Sequence, residues 1–401
     1  MNILFLSLTS YDSLSKHNIY TDLLRKYVKD GHSVYAVCPV QKRLNVPTTL
    51  IEEGNARILR VRTGNVTQVG IVEKGISTIM ICPQFISAIK KYFSGVKFDL
   101  IIYPTPPITL EGAVKYIKKR DGATSYLLLK DIFPQNAADI GMMSKSGIIY
   151  KYFRAKEKKL YKQSDFIGCM SQANVEYVLK HNPFVNKDIV HVAPNSTSVF
   201  DSPEVDKTAV REKFGIPQDA RVFLYGGNLG KPQDIPFVVE CLKKNMNKKD
   251  RFFAISGKGT DYKKIKAFFD EYKPENMLLI NGLPHDEYED FANSCDVGLI
   301  FLDHRFTIPN FPSRLLAYMR NRMPVLAATD PNTDIGKTIL DAKMGWWCES
   351  NDAERFTGLV DEISAMPEED LAKMGENGRK YMTEHFDAEK VAEDILRRVE
   401  K

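Results

Sequence analysis

Along this chain, short continuous apolar runs alternate with longer stretches in which apolar positions recur every three or four residues. Short apolar runs bounded by turn signals fit strands buried on both faces, and the three-to-four spacing fits helices that cover them. In the first half the runs predict strands at Ile3–Leu8, Ser33–Val37, Ile58–Val61, Leu100–Tyr103, Ser125–Leu129, Phe166–Met170 and Ile189–Val192. A helix is expected from about Asn18 to Asp30, where Gly31 supplies a stop. The pattern pauses at Asp201-Ser202-Pro203-Glu204 and restarts. Further strands are predicted at Val222–Tyr225, Phe252–Ser256, Met277–Ile280, Val297–Phe301, Val325–Ala328 and Trp346–Cys348, and a polar amphipathic helix at Asp387–Lys401.

This alternation predicts an α/β chain of two doubly wound parallel-sheet domains, with a ligand site expected in the cleft between them. The expected divisions are 1–198, 199–386 and a terminal helix at 387–401. A length of 401 residues fits about two cores. The longest uncharged apolar run, Gly75 to Ile89, is interrupted by Pro83. It falls short of the ~20 residues that cross a bilayer, so no span is expected. The opening Met1-Asn2-Ile3-Leu4-Phe5-Leu6-Ser7-Leu8 has no basic stretch before it and reads as a buried strand rather than a signal peptide. Cysteines 38, 82, 169, 241, 295 and 348 form no C-x-x-C pair and no metal-like spacing with histidine. Buried thiols in a reducing cytoplasm are the expectation.

Charge divides the picture further. Residues 1–200 hold 27 Lys and Arg against 15 Asp and Glu, and the remainder holds 29 against 36. A basic half joined to an acidic half implies that the halves meet different partners. Lys145 to Lys162 concentrates the excess, with seven basic residues and a single acid, Glu157. Ile149, Phe153 and Leu160 approximate helical spacing there. The segment is either a solvated helix whose Lys stems cover an apolar stripe, or a basic amphipathic surface for anionic lipid. In the second reading Lys151, Arg154, Lys158 and Lys159 face the membrane or an anionic acceptor. Nucleic acid is the poorer partner, since no binding motif for it is present and the second half is acidic.

Candidate chemistry gathers where strands end. Gly226-Gly227-Asn228-Leu229-Gly230-Lys231 follows one strand, Gly257-Lys258-Gly259 another, and Asn281-Gly282-Leu283-Pro284 a third. Glycines let a backbone approach a ligand closely. Neither Gly230-Lys231 nor Gly336-Lys337-Thr338 completes a Walker loop, because Tyr225 and Pro331 stand where its first glycine belongs. Thr307 to Thr329 holds a loop, a short helix entered at Pro312-Ser313-Arg314, and a buried strand. Proline suits a first helical turn, and helix-start amides beside a guanidinium suit phosphate. Lys258 and Arg314 would supply the charge that a diphosphate needs. Lys130-Asp131-Ile132-Phe133-Pro134-Gln135 lies beyond the strand 125–129, where Asp131 is a base or acceptor-binding candidate. With no Asp-x-Asp, no metal site is expected.

Taken together these residues resemble the GT-B glycosyltransferases of the large retaining family four, in the bacterial surface-polysaccharide branch. The resemblance spans essentially the whole chain. It rests on Gly227-Asn228-Leu229-Gly230 with Gln233, Gly257-Lys258-Gly259, Asn281-Gly282-Leu283-Pro284, Asp296-Val297-Gly298-Leu299, and Pro312-Ser313-Arg314-Leu315-Leu316 leading to Met323-Pro324-Val325. In the first half Asp131-Ile132-Phe133-Pro134-Gln135 looks like the branch's Asp-Leu-Trp-Pro-Glu element.

The resemblance implies two Rossmann-like domains, the first for a glycan or polyprenyl-linked acceptor and the second for a nucleotide-diphosphate sugar, expected to be UDP-linked. It implies retention without a metal, no cofactor, and a last helix crossing back to the first domain. Gly227, Asn228, Gly257, Lys258, Gly282, Pro312, Ser313 and Arg314 would bind the donor, with Asp131, Arg314 and Lys258 in catalytic roles. The family's two glutamates eight positions apart are replaced by Pro309 and Ala317, and its usual Arg and Lys by Asn228 and Gln233. These losses motivate an alternative: a non-catalytic nucleotide-sugar-binding or scaffold subunit of a polysaccharide assembly complex. A sugar-nucleotide epimerase would need a set of acid and base groups that the sequence does not offer.

Overall fold

A computed structural model describes residues 1–67, 69–201 and 204–400, so the Ser202-Pro203 pair at the expected pause lies outside the described residues. The chain divides into two compact units, one of residues 1–198 with 386–401 and one of residues 199–385.

The first unit is built on eight strands: β1 (Asn2–Leu6), β2 (Ser33–Gln41), β3 (Thr49–Glu53), β4 (Ala56–Thr63), β5 (Leu100–Pro104), β6 (Thr124–Leu129), β7 (Phe166–Cys169) and β8 (Val190–Val192). Their order is β3-β4-β2-β1-β5-β6-β7-β8. Neighbours run parallel except β3 and β4, a hairpin at the edge. The apolar runs located every strand except β3, whose Thr49-Leu50-Ile51-Glu52-Glu53 has neither a continuous run nor clean alternation. The helix expected at Asn18–Asp30 begins later, at Thr21, and ends at Lys29. Asn18 stays outside because its Oδ1 accepts from the amides of Tyr20 and Thr21 and so turns the chain into the helix. The run Gly75–Ile89 is internal to one helix, Ile71–Tyr92, with Pro83 inside it, and no helix among the described residues is long and apolar enough to cross a membrane.

The terminal helix, Ala388–Val399, starts at Asp387, whose side chain accepts from the Glu389 amide. Its Val391, Ala392, Ile395 and Leu396 lie in one apolar cluster with Ile3, Phe5, Leu24, Tyr27 and Val34. Burying such side chains stabilises by about 1.5–3 kcal/mol each. Thr197 and Phe386–Ala388 exchange backbone bonds of 3.0 and 3.1 Å, which tie the helix to the end of residues 1–198.

The second unit holds β9 (Arg221–Asn228), β10 (Arg251–Lys258), β11 (Met277–Ile280), β12 (Val297–Phe301), β13 (Val325–Thr329) and β14 (Gly345–Glu349). All run parallel, in the order β11-β10-β9-β12-β13-β14. This is the doubly wound order, and it reverses direction between β9 and β12. The strands are buried almost end to end because helices cover both faces. Asp206 and Asp352 accept from amides three residues on and fix two of those helices at their starts.

Candidate functional site

The carboxyl edge of the second sheet, at the point where strand order reverses, is where an open α/β sheet offers backbone and helix ends to a ligand. The glycines were expected in turns after the strands. Gly226, Gly227 and Gly257 instead belong to paired strand, with Gly226 opposite Ser256, Gly227 opposite Gly257 and Asn228 opposite Lys258. A Cβ on Gly257 would lie 2.0 Å from the Gly227 carbonyl oxygen, so strand contact alone demands glycine there.

The space over the first two glycines is taken by protein side chains. A Cβ on Gly226 would lie 1.7 Å from Oη of Tyr288, and one on Gly227 would lie 3.0 Å from Nη2 of Arg314. The Gly227 backbone, at φ 135°, is also in a region that side chains disfavour. Arg314 opens the helix Arg314–Arg320, and its guanidinium stacks over the Tyr225 ring with Cζ 4.3 Å from the centroid. Its Nη1 is buried and has no hydrogen-bond partner among the described residues. Burial opposes the charge, but the hydroxyls of Tyr225 and Tyr318 outweigh it, and the guanidinium pKa stays above its ordinary value.

Tyr318, one turn along the same helix, donates to the Leu224 or Leu299 carbonyl at 3.2 and 3.1 Å. Its ring occupies the space that a side chain on Gly298 would need. The β9–β12 seam is thus closed by an aromatic ring, and Arg314 is presented on top of it. Burial pushes the Tyr288 hydroxyl up to about 12, so it stays protonated at neutral pH.

Lys258 is exposed at the end of β10, its stem lying over Gly282, where a Cβ would be 2.7 Å from Cε. Gly282 has φ 72°. Asn228 and Gln233 bond to each other: Asn228 Nδ2 donates to Gln233 Oε1 at 2.9 Å. The Gly230 amide donates to the same oxygen at 3.2 Å. Gln233 therefore pins the loop after β9. At the helix start the amides of Leu315 and Leu316 bond back to the carbonyls of Pro312 and Ser313, and Ser313 is exposed. Pro309 is buried and Ala317 half-buried, so neither position brings a carboxylate to this edge.

Asp234 joins the adjacent Asp303 and His304 in a group that spacing could not reveal, since about seventy residues separate it from them. Asp303 is already engaged by Arg305, at 2.9 and 2.5 Å, and its carboxyl lies below the usual range. The guanidinium balances the carboxylate charge without an ion.

In the first unit Asp131 follows β6. Its Oδ1 accepts from Asn136 Nδ2 at 2.6 Å, and burial pushes its carboxyl up to about 6. Its neighbour Lys130, whose sequence context carries no sign of a role, sends Nζ to the Ala193 carbonyl at 3.2 Å, and burial pulls its pKa down to about 7. The basic segment forms the helix Ile148–Gln163. Lys151, Lys158 and Lys159 are exposed, and so are Ile148, Ile149 and Tyr152. Arg154 departs from its expected outward role. It binds Glu157 at 2.6 Å and Asn182 at 2.7 Å, because the buried Glu157 requires a counter-charge.

The family profile "Glycosyl transferases group 1" matches residues 206–381. The chain is 24% identical over 320 residues to a probable glycosyltransferase, WbjE, of Pseudomonas aeruginosa, covering 79% of this chain and 77% of that one. It is 19% identical over 290 residues to a putative colanic acid biosynthesis glycosyl transferase, WcaI, of Escherichia coli K12, covering 66% and 70%. Among solved structures, sucrose-phosphate synthase of Thermosynechococcus elongatus superposes with a TM-score of 0.76 at 15% identity, over 99% of this chain and 98% of that one. Residues 206–381 thus match the group 1 glycosyltransferase profile, and the two Rossmann-like units have the GT-B fold.

Proposed function

We propose that this chain is a retaining, metal-independent glycosyltransferase. It moves a hexosyl- or N-acetylhexosaminyl-type sugar from a nucleotide diphosphate, expected to be UDP, to a lipid-linked or glycan acceptor in surface polysaccharide biosynthesis. The observation that carries the reading is Arg314, with its charge stacked on Tyr225 at the strand reversal and its buried Nη1 unpartnered. A buried donor of this kind calls for an anionic acceptor. Lys258 stands on the neighbouring strand with a second charge.

The chemistry follows from where charge develops. As the bond from the anomeric carbon to the phosphate oxygen lengthens, the sugar gains oxocarbenium character and the diphosphate gains negative charge. Groups already fixed at that diphosphate lower the barrier most. Arg314, Lys258 and the amides of Ser313 and Arg314 take that role. The acceptor hydroxyl attacks the same face and passes its proton to the leaving phosphate, and Asp131 is our assignment for a group near that hydroxyl.

Thermal shifts with a panel of nucleotide-sugars, followed by a transfer assay, test this directly, because a donor that binds only the folded state must stabilise it. Turnover that survives Arg314→Ala at the wild-type rate would overturn the assignment. The absence of carboxylates at Pro309 and Ala317 favours a second reading, a non-catalytic nucleotide-sugar-binding subunit of an assembly complex. Donor binding with neither hydrolysis nor transfer across a broad acceptor panel would select it.

Exposed Ile148, Ile149 and Tyr152, with Lys151, Lys158 and Lys159 along the same helix, support peripheral contact with anionic membrane at its cytoplasmic face. Ile76, Ile79 and Met80 are likewise exposed on the helix Ile71–Tyr92 of that unit. Vesicle co-sedimentation should depend on both salt and anionic lipid. It should weaken in the variant Ile148→Glu with Ile149→Glu.

A further inference from the structure

We propose that Lys130 and Asn195 form a binding site for a hydroxyl group of a neutral acceptor saccharide. The proposal rests on the glycosyl-transfer reading and specifies where that acceptor is held. Lys130 directly follows β6, and Asn195 lies in the segment after β8; β7 is the one strand between them. Lys130 reaches past β7 to the Ala193 carbonyl, two residues before Asn195. The Ala193 amide in turn donates to the Cys169 carbonyl at the end of β7, at 2.7 Å. These bonds lock the three strand ends together and set Lys130 and the segment holding Asn195 at the carboxyl edge of the sheet.

Each of the two side chains has unused hydrogen-bonding capacity. Among the described residues the Ala193 carbonyl is the one partner of Lys130 Nζ, and no carboxylate pairs with it. Asn195 is 6% exposed, and its Oδ1 has no partner among the described residues. A buried, unmet amide oxygen is costly unless something enters to meet it. The adjacent Asp131 does not answer either need, since its carboxylate takes Asn136.

The chemistry of the pair selects the ligand. A hydroxyl can accept from Lys130 Nζ and donate to Asn195 Oδ1 at once. Phosphate or carboxylate presents only acceptors and would leave the Asn195 oxygen unmet and face it with negative charge. Burial that brings the lysine pKa to about 7, with only the Cys169 thiol acting on it besides, is consistent with a neutral partner. A permanent ammonium would draw an anion instead.

The test is ligand-observed saturation transfer on the full chain. The probes are methyl glycosides of neutral hexoses and N-acetylhexosamines, a methyl glucuronide as anionic control, and UDP as an independent probe of the second unit. We expect at least one neutral glycoside to bind, the glucuronide to bind more weakly, and Lys130→Met and Asn195→Ala each to lower glycoside affinity by about tenfold or more, roughly one buried hydrogen bond. UDP binding should stay unchanged in both variants. If Lys130→Met does not fold, Asn195→Ala carries the same expectation. Equal glycoside affinity in wild type and variants overturns the proposal, and so does a wild-type chain that binds no neutral glycoside. Failure of UDP to bind the wild type would strike the donor reading alone.

Discussion

The Arg314 guanidinium stacks 4.3 Å from the centre of the Tyr225 ring. This contact joins the helix that begins after β12 to the strand β9 across the reversal of strand order. A planar cation lying on an aromatic face is oriented as well as charged. Arg314→Ala is therefore expected to raise the barrier to transfer by about 2–4 kcal/mol, as loss of a charge-stabilising donor does. Arg314→Lys keeps the charge but loses the stacking, and should recover only part of the rate. Initial rates with saturating acceptor, together with circular dichroism to show that each variant is folded, decide the matter.

Gly226 and Tyr288 make a steric pair. A methyl at residue 226 would collide with the Tyr288 hydroxyl, so Gly226→Ala should destabilise by about 1–3 kcal/mol, the ordinary cost of overpacking. Combining it with Tyr288→Ala should return part of that loss. Urea denaturation of the two single variants and the double variant measures the coupling, and strict additivity would show that the clash is relieved elsewhere.

Gln233 holds the loop after β9 through Asn228 and the Gly230 amide. Gln233→Ala removes both bonds and leaves a buried amide unmet, at a cost of about 1–3 kcal/mol. Because the loop borders the proposed donor site, nucleotide affinity should fall alongside stability. Titration calorimetry with UDP checks this, and unchanged affinity would confine Gln233 to folding.

Two neighbours in the first unit give opposite dependences on pH. The folded chain holds the Asp131 proton up to about pH 6, whereas an ordinary carboxyl near 3.8 has lost it, so stability falls as pH rises between those values. Lys130 releases its proton near pH 7 when folded and near 10.5 otherwise, so stability rises over that higher window. Asp131→Asn should flatten the first slope and Lys130→Met the second. Urea midpoints collected from about pH 4 to about pH 9 would show both effects.

Much of this fold is written in apolar runs. In the second unit β9, β10, β12 and β13 are buried almost throughout, which forces continuous apolar sequence, and the half-buried edge strands β11 and β14 still carry short apolar runs. The edge strand β3 carries no such demand and escaped notice. The site is less legible. Gly226 and Gly227 are conspicuous as letters, but nothing local says that Tyr288 and Arg314 fill the space above them, since those residues arrive from other elements. Lys130 looked like any lysine, because its burial is created by strands distant in sequence. As letters Asn228 and Gln233 are only absent cations, whereas their bond to each other depends on the bend of the loop between them.

The terminal helix has a consequence for how the chain matures. Val391, Ala392, Ile395 and Leu396 complete the apolar cluster around Phe5 and Tyr27, so the first unit is discontinuous in sequence while the second, residues 199–385, is continuous. During synthesis the amino-terminal half emerges first but lacks a wall of its core until the last helix has left the ribosome. The second unit has all its strands earlier and can fold while the first still waits. A released chain truncated before residue 386 would hold a complete second unit and a first unit with apolar surface open to chaperones.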